Sequence, residues 1–206
     1  MVGAVGRPQR IGPIRTERLE LRLVRRSDAA ELQRMFRDPR VNRYLPPARR
    51  LGTGRAFVAL SQRGRRAGTA YRFVARTRAT GEFVASVSLF DVHREDGWAE
   101  LGYALPRRQW GKGYATEAVV ALLGWGFDSL HLHRVAAWVV EPNRASVAVL
   151  RRLGFRPEGR AREAALRRAG YDDLLHFGVL EPEFARRMAA RRVRRRGDRA
   201  RRARRP

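Results

Sequence analysis

The sequence predicts a single mixed domain of helices and strands, of the α/β or α+β class. Apolar residues alternate with period two in some segments and recur with helical spacing in others. The segments follow in the order β α α β β β α β α β β, about seven strands and four helices, and show no internal repeat. A glycine-rich turn and a helix join the fourth strand to the fifth, and such a crossover predicts a parallel pair in the sheet.

The first three elements are one strand and two helices. Leucine alternates with Glu and Arg over residues 19–23, which predicts a half-buried strand. A helix begins at Asp28, whose spacing to Glu31 resembles a capping box, and it ends before Pro39. A second helix is predicted from about Thr53 to Arg66, with three buried side chains: Phe57, Val58 and Leu60.

After the second helix, apolar residues recur at every second position, as in strands. Apolar residues alternate over residues 71–75 and 83–89 on either side of a turn at Gly81, which predicts a hairpin. Gly154 is typical of a residue that closes a helix. The other predicted strands are Trp98–Leu105, Arg134–Val140, Phe155–Glu163 and Tyr171–Leu180, and the other helices are Tyr114–Ser129 and Ala145–Leu153.

Length and composition bound the domain and its surroundings. The 206 residues predict a loose leader over residues 1–13, one domain over residues 14–183 and an arginine-rich tail over residues 184–206. No apolar run is long enough for a membrane span or a signal peptide, and we expect a cytoplasmic protein without a membrane partner. The absence of cysteine excludes disulfides, thiolate metal ligands and a cysteine nucleophile.

The net charge of +25 is unevenly distributed along the chain. Lys112 is the only lysine, so 44 of the 45 basic residues are arginine, a bias that a GC-rich genome can produce. From Arg186 to Pro206 there are twelve arginines and one acidic residue, Asp198. Such a run is either a solvated tail or an arm that docks on RNA, a ribosome or another acidic partner.

The stretch between the fourth strand and the next helix predicts an anion-binding loop. Gly111 and Gly113 allow a tight turn and a close approach of a ligand to the backbone. The amides there precede a helix N-terminus, whose unpaired N–H groups and dipole favour an anion. Arg108 and Lys112 add positive charge. The stretch lacks the Walker pattern and the third glycine of a Rossmann turn.

The flanking residues make this loop resemble a known signature. Arg108-x-x-Gly111-x-Gly113 resembles the Gln/Arg-x-x-Gly-x-Gly/Ala motif of the GNAT acetyltransferase superfamily. The stretch Trp110–Ala118 is similar to its RimJ/RimL branch, which acetylates N-termini of ribosomal proteins. The likeness covers about Thr16 to Glu183, and includes Asn143-Arg144-Ala145-Ser146 and Leu153-Gly154-Phe155. It implies a mostly antiparallel sheet with a central splayed parallel pair, and transfer of an acetyl group from acetyl-CoA to an amine.

The resemblance also implies which residues hold acetyl-CoA. The loop backbone binds the pyrophosphate, the preceding strand pairs with the pantetheine arm, and Asn143 holds the end of that arm, although Asn143 is equally a candidate helix cap. Trp110 either covers the cofactor or packs against the protein. The implied set is Gly102, Tyr103, Ala104, Leu105, Arg108, Gln109, Trp110, Gly111, Lys112, Gly113, Tyr114, Ala115, Asn143 and Ser146.

Direct transfer requires one group that takes a proton from the amine and one that gives a proton to the thiolate. Glu100 is the candidate base, unless its carboxylate faces solvent or pairs with an arginine. Ser146 is the candidate acid or a plain helix-start hydroxyl. The tyrosine that many family members place one helix turn later is replaced by Leu150.

The acceptor side is the least predictable part of the site. The resemblance implies Glu163 and Tyr171 as substrate-binding candidates, whereas Ala165 stands where RimL-type enzymes have a glutamate. His131 and His133 are typical of surface residues, and no spacing of His, Asp and Glu predicts a metal site.

Three functions are compatible with the sequence. The first is acetylation of a protein N-terminus, for example on a ribosomal protein, by a monomer or a homodimer. The second is acetylation of a small amine such as an aminoglycoside, polyamine or amino acid, because one fold serves many substrates. That substrate would need an acidic pocket, which Asp91, Glu95, Asp96, Glu100 and Glu163 could form. The third is a non-enzymatic module that binds nucleic acid through the arginines.

Overall fold

The computed structural model describes residues 11–45, 53–167 and 170–191. Its eight strands are β1 (Ile14–Arg15), β2 (Leu19–Leu23), β3 (Ala70–Thr77), β4 (Phe83–His93), β5 (Trp98–Ala104), β6 (Arg134–Val140), β7 (Arg156–Arg167) and β8 (Gly170–Leu180). The α-helices of the described ranges are α1 (Ala29–Arg37), α2 (Pro39–Asn42), α3 (Gly54–Ala67), α4 (Tyr114–Leu130), α5 (Arg144–Leu153) and α6 (residues 181–191).

All strands belong to one sheet in the order β1-β2-β3-β4-β5-β6-β8-β7. Every neighbouring pair is antiparallel except β5 and β6, which helix α4 connects. These two strands pair only from Trp98 to Glu100 and from Arg134 to Ala136, and beyond that point each continues without the other. The predicted fold, with a parallel pair that splays apart at the centre of the sheet, is therefore confirmed.

Helices cover both faces of the sheet because side chains alternate along each strand. On one face, Leu89, Ala99 and Leu101 join α4 and α5 in the larger core. On the other face, α1 and α3 pack over β3 and β4 in a smaller core that contains Leu32 and Val58. Glu100, between Ala99 and Leu101, thus lies on the face opposite α4 and α5.

The structure corrects the predictions for the N-terminal helices. The predicted capping box from Asp28 to Glu31 is wrong. Asp28 is the N-cap residue of α1, but its side chain makes no hydrogen bond to that helix and accepts instead from the Arg22 guanidinium and from the Arg25 N–H, which closes a capping box of the preceding 3-10 turn. Val58 is buried as predicted, but Phe57 and Leu60 are only half-buried. The sequence also missed β1 and α2, which have too few residues to show a period.

Helical structure continues past the domain end that the sequence predicts. The predicted boundary at residue 183 falls inside α6, which buries Phe184 and packs Met188 against the larger core. Ile11, in the predicted leader, packs there as well. Residues 1–10 and 192–206, the rest of the predicted leader and tail, lie outside the described residues. In the described ranges, no helix has the length and apolarity to cross a bilayer.

Candidate active site

The loop after β5 offers its backbone to a ligand. Gly111 and Gly113 have φ values of +76° and +77°, in the left-handed region that favours glycine. Gly113 is the N-cap of α4 and provides no side-chain cap, so the first helix amides keep their donors for an anion. A Cβ atom at Gly111 would meet nothing within 4 Å, which leaves its surface open.

The polar side chains of the loop have partners within the protein, although Arg108 and Lys112 are exposed and only Gln109 is buried. Gln109 is buried and donates a hydrogen bond of 2.7 Å to Glu82, to which the Arg108 Nε also donates at 3.0 Å. These hydrogen bonds keep the pKa of Glu82 below its ordinary value. Lys112 Nζ lies 3.2 Å from the Gln109 side-chain oxygen. Arg108 and Lys112, predicted as charges for phosphate, thus have partners within the protein.

Trp110 ties the loop to the end of the preceding strand. Its indole N–H donates a hydrogen bond of 2.9 Å to the Leu105 carbonyl, and 40% of the residue surface is exposed. Both roles that the sequence left open for Trp110, covering the cofactor and packing, stay predictions.

Glu117 anchors the first turn of α4 to the N-terminal segment, a role that the sequence did not indicate. Its carboxylate accepts hydrogen bonds from the Thr16 hydroxyl at 2.6 Å, the Arg18 N–H at 2.9 Å and the Arg18 guanidinium at 2.7 Å. Burial alone would raise the pKa of Glu117, but these hydrogen bonds outweigh burial and lower it. Arg18 also donates to the Lys112 carbonyl at 3.1 Å and lies over the Tyr114 ring.

The opening is the gap between β5 and β6 beyond Glu100 and Ala136, where the two strands separate. The two predicted catalytic residues, Glu100 and Ser146, lie on opposite faces of the sheet at this opening. Glu100 is half-buried at the last paired position of β5, where the strands begin to separate. Three residues further on, Tyr103 packs against the larger core on the side of α5. The Tyr103 hydroxyl lies 2.7 Å from Ser146 Oγ. Burial raises the pKa of Tyr103 to about 12.

Asn143 fixes the start of α5 beneath this hydroxyl pair. Its side-chain oxygen accepts a hydrogen bond of 3.1 Å from the Ser146 N–H, as an N-cap residue does. The helix-cap role that the sequence gave as one alternative for Asn143 is thus observed. Its contact with the pantetheine arm stays a prediction.

Two acceptor-side segments, distant in sequence, meet in the structure. The hairpin of β7 and β8 reaches the end of α2, where Arg167 Nη1 donates to the Leu45 carbonyl at 2.6 Å. Near the hairpin tip, Glu163 is exposed with a φ of +51°, and its N–H donates to Asp173 at 2.8 Å. Tyr171 is 62% exposed. Substrate binding by Glu163 and Tyr171 stays a prediction.

The register of β8 with β6 shows which hairpin side chains lie on the same face of the sheet as Glu100. His176 pairs with Trp138 on β6, and Trp138 is two residues from Ala136, the partner of Glu100. Trp138, His176 and Glu100 therefore lie on one face, and Tyr171, five residues before His176, points to the other. Trp138 is 43% exposed and packs on the His176 ring. Burial lowers the pKa of His176. The apolar run of β6 concealed Trp138 as a site residue.

The acidic pocket that the sequence suggested does not form as one cluster. Asp91, Glu95 and Asp96 are exposed around the turn between β4 and β5. That turn precedes Trp98, whereas the loop and the opening follow Glu100 at the other end of β5. No group of three or more His, Asp or Glu side chains in the described part of the chain could hold a metal ion.

Comparison with known proteins identifies the family. A GNAT acetyltransferase domain model matches residues 18–156. The chain belongs to the GNAT acetyltransferase family. It is 34% identical over 172 residues to the uncharacterized N-acetyltransferase p20 of Bacillus licheniformis, a match that spans 82% of this chain and 97% of p20. It is 31% identical over 84 residues to the ribosomal protein uS5-alanine N-acetyltransferase of Escherichia coli, 41% of this chain and 43% of that enzyme.

Solved GNAT structures share the whole fold. RimJ of Mycobacterium smegmatis, solved with CoA-disulfide, has a TM-score of 0.74 and 26% identity, and the match covers 87% of this chain and 92% of RimJ. Spermidine N-acetyltransferase of Vibrio cholerae, solved with CoA and spermine, has a TM-score of 0.73 and 21% identity over 81% of this chain and 98% of its own, a likeness in fold alone. The chain is accordingly an acyl-CoA-dependent N-acetyltransferase with RimJ/RimL-type relatives, and acetyl-CoA is its co-substrate.

Proposed function

We propose that this GNAT enzyme acetylates the N-terminal α-amine of a protein, such as a ribosomal protein, in the cytoplasm. The observation that carries the proposal is the opening between β5 and β6, which has Glu100 on one face and the Tyr103–Ser146 pair on the other. The likeness to RimJ and to the uS5 acetyltransferase supports a protein as the acceptor.

The loop before α4 and the end of β5 bind the acetyl donor. The amides of residues 111–115, at the start of α4, bind the pyrophosphate of the donor, because glycine and the helix N-terminus expose N–H groups there. Pairing of β5 with β6 ends at Glu100, and the β5 backbone beyond it, from Gly102 to Ala104, offers groups to the pantetheine arm. This arrangement delivers the thioester into the opening.

Glu100 then takes the proton of the amine, and Ser146 donates a hydrogen bond to the departing sulfur. On the face that carries Trp138 and His176, Glu100 removes a proton from the acceptor amine as the amine attacks the carbonyl carbon. On the face of α5, Ser146 serves the departing sulfur. The two groups act from opposite sides of the sheet, so the acceptor and the donor enter without obstructing each other.

The β7–β8 hairpin limits the shape of the acceptor. Arg167 joins the hairpin to Leu45, just beyond α2, and both segments would flank an acceptor that approaches Glu100. Trp138, exposed on that face, offers a ring against which the first side chain of a peptide can pack.

The experiment that tests the function has two stages. Calorimetry with acetyl-CoA establishes binding, and an assay for released CoA then compares N-terminal peptides, including those of ribosomal proteins, with polyamines, aminoglycosides and amino acids. We expect binding followed by release that depends on a peptide. Release with small amines alone would support a small-amine acetyltransferase instead. Absence of acetyl-CoA binding would leave the non-enzymatic, arginine-based function.

A further inference from the structure

We infer that Tyr103 is a positioning residue, whose phenol orients the Ser146 hydroxyl toward the sulfur of the acetyl donor. The inference rests on the proposed function and adds a residue to its donor side. It assigns the side chain of Tyr103 a role separate from the backbone contact that the family resemblance implies.

The geometry couples the two hydroxyls directly. Tyr103 OH lies 2.7 Å from Ser146 Oγ and 3.4 Å from the Ser146 carbonyl oxygen. Asn143 holds the Ser146 backbone from the other side through the hydrogen bond to its N–H. The Ser146 side chain is therefore fixed at both its backbone and its oxygen, at the point where β5 has left β6.

Either hydroxyl can donate in this pair, and we take Tyr103 as the donor and Ser146 Oγ as the acceptor. A serine hydroxyl has one hydrogen and two lone pairs, so an oxygen that accepts from Tyr103 keeps its own hydrogen for another acceptor. Burial raises the pKa of Tyr103 to about 12. A thiol titrates near about 8.5, so the phenol keeps its proton while the thiolate departs. Tyr103 therefore orients the serine and does not itself titrate.

The reaction step is balanced without a further reactant. The amine nitrogen forms the new C–N bond, the C–S bond breaks, and its electron pair stays on sulfur. The Ser146 O–H donates a hydrogen bond to that charge. The proton that the amine loses goes to Glu100, and the thiolate takes a proton from solvent as CoA leaves. Leu150 is fully buried and carries no hydroxyl, so α5 provides no tyrosine of its own at this step.

The test measures the pKa of the CoA thiol bound to the full-length protein, from the ultraviolet absorbance of the thiolate against a matched sample with desulfo-CoA. A hydroxyl that donates to sulfur lowers this pKa. We expect Tyr103→Phe and Ser146→Ala each to raise it by about one unit, a tenfold change in the thiol–thiolate equilibrium. The double variant should raise it no further than Ser146→Ala alone, because the two hydroxyls act as one unit.

Tyr71→Phe is the matched control. The Tyr71 hydroxyl also has a side-chain partner, Arg94 Nη2 at 2.5 Å, but Tyr71 lies on β3, away from the opening. Loss of the Tyr71 hydroxyl should leave the pKa of the bound CoA thiol unchanged. If CoA bound to Tyr103→Phe has the wild-type thiol pKa, the inference is wrong. Additive pKa shifts in the double variant would also overturn it, because they would show that Tyr103 contacts the sulfur independently of Ser146.

The same samples separate this inference from the proposed function. Calorimetry with CoA gives the affinity of each variant, and thermal unfolding shows whether each variant folds. No binding of CoA to the wild-type protein would refute the proposed function together with the inference. Tight binding to all variants with one common thiol pKa would refute the inference alone. With an active peptide, kcat for Tyr103→Phe should fall about tenfold at an unchanged KM for acetyl-CoA.

Discussion

Glu100 lies at the point where β5 and β6 separate. If it takes the proton from the amine, Glu100→Gln removes general-base catalysis and should lower kcat by about 100-fold or more. The affinity for acetyl-CoA should stay the same, because the donor binds on the other face. Steady-state kinetics and calorimetry provide the two measurements.

Glu95→Gln is the control for Glu100, since Glu95 is an exposed carboxylate at the turn between β4 and β5, away from the opening. Glu163→Gln tests the exposed carboxylate of the hairpin as the alternative base. A Glu100→Gln enzyme as active as the wild type would show that another group or a water chain takes the proton. Strong loss in Glu163→Gln alone would move the role of the base to the hairpin.

Gly111 is the second residue at which a single substitution tests the site. Its φ of +76° strains any residue with a Cβ atom, and a branched side chain would also occupy the space in front of the loop amides. We expect Gly111→Val to abolish measurable binding of acetyl-CoA in calorimetry while the protein stays folded.

Gly124→Ala is the matched substitution for Gly111→Val. A Cβ atom at Gly124 also meets nothing within 4 Å, but Gly124 lies in α4 without a positive φ. It should keep full affinity and gain about 0.8 kcal/mol of helix stability. Retained binding in Gly111→Val would refute the assignment of the loop.

At the scale of elements, Asp28 joins β2, β3 and α1. Its buried carboxylate accepts hydrogen bonds from Arg22 at 2.7 Å and lies 3.3 Å from Arg76, which also pairs with Glu31 on α1. Asp28→Asn removes the charge that both guanidiniums face. We expect the free energy of unfolding to fall by about 3 kcal/mol, measured by denaturant titration at neutral pH.

The pH dependence of this effect follows from the pKa of Asp28. Burial alone would raise that pKa, but the hydrogen bonds from Arg22 and the Arg25 N–H outweigh burial and lower it. A lowered pKa in the folded state stabilises the protein above the unfolded value, about 3.9, and this contribution disappears as the pH falls through the folded value. The difference between wild type and Asp28→Asn should therefore shrink in acid. A constant difference would show that charge is not its cause.

At the scale of the whole molecule, α6 closes the larger core. Phe184 is 7% exposed, and its ring centroid lies 5.3 Å from that of Phe127 on α4. We expect Phe184→Ala to lower the free energy of unfolding by about 3 kcal/mol. A chain that ends at residue 183 should lose at least as much stability, whereas one that ends at residue 191 keeps both Phe184 and Met188. Thermal unfolding compares the three. Equal stability for the two truncated chains would restore the boundary at residue 183.

The sequence by itself determined the elements and the loop, because both depend on local patterns. Period-two alternation predicted β3 and β4, both of which extend beyond the predicted ends, and a β-branched apolar run predicted β6 with its observed ends. Gly154 at the end of α5 has the left-handed φ of +95° that is typical of a helix end. The spacing of Gly111 and Gly113 before a helix likewise indicated an anion site without any knowledge of the fold. Asp28 failed as a cap because its guanidinium partner, Arg22, belongs to another element.

Only the tertiary structure decided what faces the opening. Tyr103 and Ser146 are 43 residues apart, Arg18 and Glu117 are 99 apart, and Leu45 and Arg167 are 122 apart, yet each pair is in hydrogen-bond contact. The spacing of apolar residues assigns a side chain to one face of its own helix or strand, but it carries no information on which other element covers that face. Sheet order and the splay of β5 from β6 set these contacts, so only the folded chain showed that the phenol of Tyr103 meets Ser146 and that the ring of Trp138 shares a face with Glu100.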